Sequence, residues 1–397
     1  MKLPVLNAKN LKGKRVFMRV DWNVPVQGLG AEDSLKVERT IPDIRALAER
    51  GAVVVVATHL GRPKKREKDL STRRLAPLVS HIYGLKLEFL DADLETKEGT
   101  QQAANKIKKV KPGTVFLLEN VRFFKGEEEN SPALAKNYAA LANVFVNDAF
   151  ASCHRSHASV VGVAKLLPHY AGPALTSEVE NLGRLLTKPK RPYVAILGGA
   201  KLSTKIEALE KFLLIADKVL VGPAMANVFL SAKKIQIGKS LVEASSLKAA
   251  KKLMKNPKIV LPLDFAVAKK LVPGAKIRAA KSNDIKKDEI IGDIGPETMR
   301  AWSAEIKKAK TLVWNGPVGV IEIPGFSHGS MLLARSVAAR SKGSAFGVVG
   351  GGDLLSIALK CGMAEWFDHI STGGGAMLEF VVKKGKLPGL TALAAKK

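Results

Sequence analysis

The sequence predicts an α/β protein built on two parallel sheets, and three observations carry that expectation. Short β-branched and aliphatic runs alternate with helical patterns, the arrangement from which βαβ units are made. Polar residues and glycines collect directly after those runs, at the edge where open α/β sheets take ligands. The chemistry of these loops also changes along the chain, from His, Arg, Asp and Asn before about residue 170 to glycine runs with Lys and Asp after about residue 190.

The elements follow in order. "RVFMRV" leads into Asp21-Trp22-Asn23, "AVVVVAT" into His59-Leu60-Gly61-Arg62, "TVFLLE" into Asn120-Val121-Arg122, and "NVFVND" into "AFASCHRSH". "GPALTSEVENLGRLL" then puts Pro173 near a helix start, with Leu175, Val179, Leu182 and Leu186 on one face. The linker "TKPKRP" follows, and the domain junction belongs here. Beyond it, "YVAIL" runs into Gly198-Gly199-Ala200-Lys201, "KVLV" into Gly222-Pro223, "TLVW" into Asn315-Gly316-Pro317, "AFGVV" into Gly350-Gly351-Gly352-Asp353, and "DHIS" into Thr372-Gly373-Gly374-Gly375.

Composition narrows the class. At 397 residues and 46% hydrophobic content the chain can build two or three sizeable cores. No apolar stretch is long enough for a membrane helix, and the opening "MKLPVLNAKNLKGKR" lacks a secretory h-region, so a soluble cytoplasmic protein is expected. Two cysteines, Cys153 and Cys361, make neither a disulfide framework nor a zinc ribbon and read as reduced thiols. The net charge of +28, from 64 basic and 36 acidic residues, favours anionic ligands. With 6% aromatics and no RRM, zinc-finger or basic-zipper pattern, specific nucleic-acid binding is disfavoured. Non-specific binding remains open as a consequence of charge.

Several motifs mislead when read alone. "IGKS" (237–240) has Lys233 where a P-loop needs its first glycine. "GFSHG" (325–329) matches a nucleophile elbow, with Asp353 and His369 following, but Pro324 interrupts the strand that should precede it. "CHRSH" lacks further metal ligands nearby, so His154 and His157 read as loop structure. "GGGD" by itself could be a turn with Asp353 as a helix N-cap. Its repetition in "LGGAKLSTKI" and "TGGGAMLEF" instead points to a rim of backbone N–H groups for phosphate, with Lys201 and Lys205 adding charge. In the first half, Arg39, Arg62, Arg122 and Arg155 with His59, Asp21 and Asn23 suit a small molecule bearing carboxylate and phosphate.

The ordered set "RVDWNVP" (19–25), "THLGRPK" (58–64), "LLENVRFFKGEE" (117–128), "NDAF…HRSHAS" (147–159), "ILGGAKLSTKI" (196–206), "VWNGPVGVIE" (313–322), "GGGD" (350–353) and "HISTGGGAMLEF" (369–380) resembles phosphoglycerate kinase. The resemblance implies two Rossmann-like three-layer domains with parallel sheets, joined by a hinge helix. Residues 1–171 would bind 3-phosphoglycerate or 1,3-bisphosphoglycerate, 172–190 would form the interdomain helix and linker, and 191–384 would bind ATP or ADP. The tail, 385–397, would pack back on the first domain. It further implies a monomeric glycolytic enzyme using Mg²⁺ with its nucleotide, transferring the phosphoryl group in line after domain closure.

Carried over residue by residue, Asp21, Asn23, Arg39, His59, Leu60, Gly61, Arg62, Arg122 and Arg155 would hold the glycerate ligand. Gly199, Lys201, Lys205, Gly295, Asn315, Glu322, Gly351, Gly352, Asp353 and Leu354 would hold the nucleotide, with Asp353 meeting the metal. Arg39, Lys201 and Gly373 would stabilise the transferring group. The chain departs from the family at Leu354, where Thr is usual, at Pro223, where Gly is usual, and at Met377, where Ser is common.

Overall fold

The computed structural model describes residues 2–7, 11–25 and 27–394, with backbone alone at 31 and 32. It divides into two compact units, residues 1–180 with 385–397, and residues 181–384. In the first, β1 (Arg15–Arg19), β2 (Val53–Ala57), β3 (Glu88–Leu90), β4 (Val115–Leu118), β5 (Val144–Asn147) and β6 (His169–Ala171) pair in the order β3-β4-β2-β1-β5-β6. Every pairing is parallel. β2 reads Val-Val-Val-Val-Ala and is buried at each residue, as a strand covered on both faces must be. Helices supply the cover. Ile41–Glu49 buries Ile44 and Leu47, and Leu75–Tyr83 buries Leu75, Ala76 and Val79 before ending on Gly84 at φ 62°.

The second unit begins with β7 (Tyr193–Leu197), β8 (Lys218–Val221) and β9 (Ile259–Val260). After an antiparallel insertion of β10 (Asp264–Ala268), β11 (Arg278–Lys281) and β12 (Ile290–Ile294), the chain returns to β13 (Thr311–Asn315), β14 (Phe346–Gly350) and β15 (His369–Ser371). The main sheet runs β15-β14-β13-β7-β8-β9, all parallel, and the insertion runs β11-β10-β12. Two parallel sheets flanked by helices are what the sequence predicts; the small antiparallel sheet is additional. Its edge strand is Arg-Ala-Ala-Lys, with only Ala280 buried, so no apolar alternation announces it. A local core of Leu230, Phe265, Val267, Ala280, Ile285 and Ile291 holds it.

The division between the units falls inside the helix Pro173–Leu186. Asp148, directly after β5, caps this helix, its Oδ1 accepting from Leu175 N–H at 2.8 Å. The buried face is Leu175, Val179, Leu182 and Leu185, while Leu186 is half-buried. The helix phase thus corrects the sequence reading by one residue. At the other end of the chain, the helix Pro388–Ala394 lies in the first unit. Gly389 N–H donates to Cys153 O at 2.9 Å, and a Cβ on Gly389 would come within 3.0 Å of Cys153. Cys153 and Cys361 are both free thiols. Among the described residues no helix is long and apolar enough to cross a membrane.

Candidate active site

At the carboxyl edge of the first sheet, Trp22 anchors the loop after β1. Its ring is fully buried, its indole N–H donates to Thr40 Oγ1 at 2.8 Å, and its backbone N–H donates to Thr58 Oγ1 at 2.9 Å. A buried indole with its one donor satisfied is a rigid fixture, and it holds Asp21 and Asn23 on either side. Asn23 Oδ1 accepts from Gly61 N–H at 2.8 Å, and Arg122 Nη1 donates to Gly61 O. Gly61 has φ 57°, and a Cβ there would meet Leu70 at 2.9 Å; the "HLGR" turn needs glycine on both counts. Leu60 is buried beneath the turn. Asn120 closes it, with Nδ2 donating to the carbonyls of Leu60 and Leu70 at 2.9 Å each.

A buried network lies under this loop. His59 Nδ1 is 3.1 Å from Arg19 Nη2. A guanidinium only donates, so Nδ1 accepts and the proton of the neutral ring sits on Nε2. Burial, reinforced by Arg19 and Arg122, holds His59 well below the usual imidazole range, so the ring is neutral with its one N–H on Nε2. Arg19, 1% exposed, also donates to Ser159 Oγ at 3.0 Å, Ser152 Oγ at 3.4 Å and Val20 O. Across Ser159 stands buried Glu127, which accepts from the Ser159 hydroxyl at 2.5 Å, the Ser159 N–H at 3.1 Å and Tyr138 OH at 3.2 Å. His157 Nδ1 is 3.7 Å from Glu127, and burial pushes this imidazole down to about 3.

Arg19 and Glu127 are functional candidates that the sequence reading missed. A signal was present. "RVFMRV" places a guanidinium at the end of the buried stretch Val16 to Met18, where an unpaired charge costs several kcal/mol.

Asp21 Oδ1 is buried, 3.8 Å from His59 Nδ1, and meets no hydrogen-bond donor among the described residues. Burial raises its pKa, against the pull of Arg19, Lys36, Arg122 and His154. An acceptor left without a donor inside a ring of cations fits a ligand hydroxyl. Lys36, which the sequence reading passed over, belongs to that ring; its Nζ is 3.1 Å from Asp33 Oδ1. Arg39 instead faces buried Glu178, Nη1 to Oε1 3.7 Å. Arg122 Nε is 3.2 Å from Glu128 Oε1, too poorly aligned for a hydrogen bond. Exposed Arg62 and half-buried Arg155 act on Arg122 through their charge, and Arg155 Nε donates to His154 Nε2 at 3.1 Å.

In the second unit three glycine loops converge on Asn315. Asn315 Nδ2 donates to Gly350 O at 3.1 Å and Gly374 O at 3.2 Å, so both amide hydrogens have acceptors. Its Oδ1 accepts from Lys205 Nζ at 2.9 Å, and Lys205 also donates to the carbonyls of Gly198 and Asn315. A Cβ on Gly374 would come within 2.8 Å of Gly351 Cα, so two loops touch backbone to backbone. Burial pushes Lys205 down to about 8, with Asp353 pulling the other way. Gly199, at φ 95°, faces the Lys205 ammonium. Lys201 is exposed on the same loop.

The helix Gly352–Lys360 has Gly351, at φ 112°, as its N-cap. Asp353 is therefore not the N-cap; it stands exposed at the second helical position. The first-turn N–H groups of Gly352, Asp353 and Leu354 have no intrahelical acceptors, the arrangement in which helix N-termini can accept anions. Leu354 is 2% exposed and offers only its backbone. Met377 explains one glycine, since a Cβ on Gly350 would overlap its sulfur at 2.1 Å. Pro223 occupies the first turn of the helix Pro223–Ala232 behind N-cap Gly222, a position that proline tolerates. Gly373 N–H donates to Ser371 Oγ at 3.3 Å.

Gly295 and Glu322 take no part in the Asn315 bonds. Gly295 caps the helix Pro296–Lys308 and packs on Asp264, and Glu322 is exposed after β13. The misleading motifs resolve locally. Ser327 Oγ donates to Pro324 O and follows a 3₁₀ turn instead of a strand. Gly238 is a turn residue whose Cβ would strike Glu289 O.

The two edges thus offer a cluster of basic side chains around an Asp21 oxygen without a donor, and a glycine rim with lysine charge. Comparison with known proteins gives them a setting. The family model "Phosphoglycerate kinase" matches residues 6–384. The chain is 44% identical over 387 residues to a phosphoglycerate kinase of Thermus thermophilus, covering 96% of this chain and 97% of that one. It is 43% identical over 392 residues to one of Deinococcus radiodurans, covering 98% and 94%. Among solved structures, the phosphoglycerate kinase from Coxiella burnetii superposes with a TM-score of 0.82 at 39% identity over 99% of both chains. That from Pyrococcus horikoshii OT3 gives 0.86 at 34% identity over 98% of both.

Proposed function

The chain belongs to the phosphoglycerate kinase family, and from that premise we propose how its residues divide the work. The reaction is reversible phosphoryl transfer between 1,3-bisphosphoglycerate with ADP and 3-phosphoglycerate with ATP, in which the acceptor is a carboxyl group. A carboxylate nucleophile is already ionised at neutral pH, so no general base is required. The protein must position the ligands and neutralise charge.

The first unit takes the glycerate ligand. Asp21 Oδ1 accepts its hydroxyl, neutral His59 donates from Nε2, and Arg62, Arg122 and Arg155 hold its phosphate and carboxylate. The observation that carries this reading is the buried Asp21 oxygen without a donor inside a ring of cations. Lys36, whose field reaches Asp21, supplies charge to the transferring group. Arg39 orders the same helix end through Glu178.

The second unit takes the nucleotide. Lys201, Lys205 and the N–H groups of Gly352 to Leu354 hold its phosphates, while Gly295 and Glu322 are proposed contacts to the nucleoside. Asp353 fits Mg²⁺ as a single exposed carboxylate, because Mg²⁺ is commonly held by one or two carboxylates together with substrate phosphates. No cluster of three or more His, Cys, Asp or Glu exists among the described residues to form a protein-only cage. When bound, Mg²⁺ neutralises phosphate charge. In-line transfer needs reacting atoms about 3–3.5 Å apart, so closure of the two units precedes chemistry. The enzyme is proposed to act as a cytoplasmic monomer.

ATP-dependent phosphorylation of 3-phosphoglycerate, followed in a coupled assay with and without Mg²⁺, tests the whole reading; no turnover with Mg²⁺ present would reject it. Asp353→Asn is expected to raise the Mg²⁺ concentration for half-maximal rate by about tenfold, consistent with loss of one charge-assisted contact. An unchanged Mg²⁺ titration would remove Asp353 from the metal. Nucleotide affinity should also weaken as pH rises through about 8, where Lys205 loses its proton. Calorimetric titration of ADP from pH 6.5 to 9.5 checks this, and Lys205→Met should bind weakly with a flat profile.

A further inference from the structure

At the amino edge of the second sheet, the edge away from the glycine loops, lies a cavity of about 290 Å³. Arg184, Lys188, Lys190 and Lys310 line it, with Asp368 as the single acid. The Asp368 carboxylate is engaged, accepting from Gly347 N–H at 2.8 Å. No carboxylate lies within ion-pair distance of any of the four cations among the described residues. Thr187, Thr311, Ser341 and Ser344 add hydroxyl-bearing residues to the lining, beside Pro189, Gly343, Ala345 and Phe346. Lys310 Nζ lies 3.3 Å from Ser344 Oγ, which orients that ammonium. The segment 187–190 is shaped around the space, with Lys188 at φ 51° and Lys190 O accepting from Thr311 Oγ1 at 2.7 Å.

We infer that this cavity is a second anion site, for a compact di- or triphosphate such as inorganic pyrophosphate, distinct from the nucleotide site of the same unit. Four cations against one engaged carboxylate match a ligand carrying about three negative charges. The space is large for a single phosphate, and the greater part of its wall is polar. Nucleobases are disfavoured because the one aromatic face there, Phe346, is already covered by the Arg184 guanidinium at 3.5 Å. A polyphosphate in this place would tie the segment 187–190 to Lys310 and Ser344, bracing the connection between the helix Pro173–Leu186 and β7.

Pyrophosphate is titrated by calorimetry into enzyme saturated with ADP and 3-phosphoglycerate, so that the catalytic pockets are filled. One further saturable site is expected. Lys190→Gln with Lys310→Gln should weaken it about tenfold or more, as loss of charge-assisted contacts does. Lys251→Gln with Lys252→Gln, on the helix Leu247–Leu253, removes the same formal charge and should change it less than about twofold. Hydrogen exchange at residues 187–190 should slow with pyrophosphate in the parent protein alone. Equal weakening in both double variants, no saturable site, or unaltered exchange would each overturn the assignment. Normal kcat in the double variants separates these outcomes from failure of the catalytic reading.

Discussion

Lys201→Ala is expected to lower kcat by about 10³–10⁵, the loss seen when a cation stabilising the transferring phosphoryl group is removed. Its side chain is exposed on the loop after β7, and its backbone carbonyl accepts from Thr204 Oγ1 at 3.0 Å. The fold should therefore tolerate the change. Lys205, by contrast, is tied to Gly198 and Asn315, so its loss loosens the rim as well as the ligand. Kinetics at saturating substrates, with ADP affinity measured separately, distinguish the two: Lys201→Ala should lose kcat with little change in ADP binding. Near-normal turnover would show that Lys201 does not face the transition state.

The second large effect separates two cations on neighbouring turns. Lys36→Ala is expected to lower kcat by about 10²–10³, in the range for removing one electrostatic stabiliser, with the melting temperature nearly unchanged. Arg39→Ala should do the reverse. It strips the cation from Glu178, a buried carboxylate, and should cost about 1–2 kcal/mol of stability, discounted from a fully buried pair because Arg39 retains 28% side-chain exposure. Steady-state kinetics and thermal unfolding on both variants decide the matter. A collapse of kcat in Arg39→Ala with Lys36→Ala active would return Arg39 to the reacting phosphate.

These two residues show where sequence reading stops. Both are basic, three positions apart and near the expected ligand, and an arginine draws attention first because its fork suits phosphate. Which one looks toward Asp21 depends on helix phase and on Glu178, far along the chain. Arg19 can be flagged from its place in a buried strand, but its partners Ser159 and Glu127 come from far along the chain. What was legible had a local cause. "AVVVVAT" must be buried on both faces, and "HLGR" needs a turn at Gly61. Three glycine runs after strands needed no distant residue to be recognised as a rim. The insertion β10 to β12 escaped notice because its edge strand depends on a small core assembled from several segments. Asp353 could be assigned to a helix start from sequence, but its place one position past the first residue required the backbone of Gly351.

The helix Pro388–Ala394 has a bearing on biosynthesis. Its backbone bond to Cys153 and the close approach of Gly389 make it part of the unit that the ribosome starts first. Domains generally fold as they emerge, yet this one lacks a wall until residues 385–394 have been made. The second unit, contiguous in sequence, can complete itself sooner. During translation the earlier unit should therefore persist as an unfinished body with Cys153 uncovered, and chaperone engagement or thiol labelling of nascent chains should continue until the last helix docks.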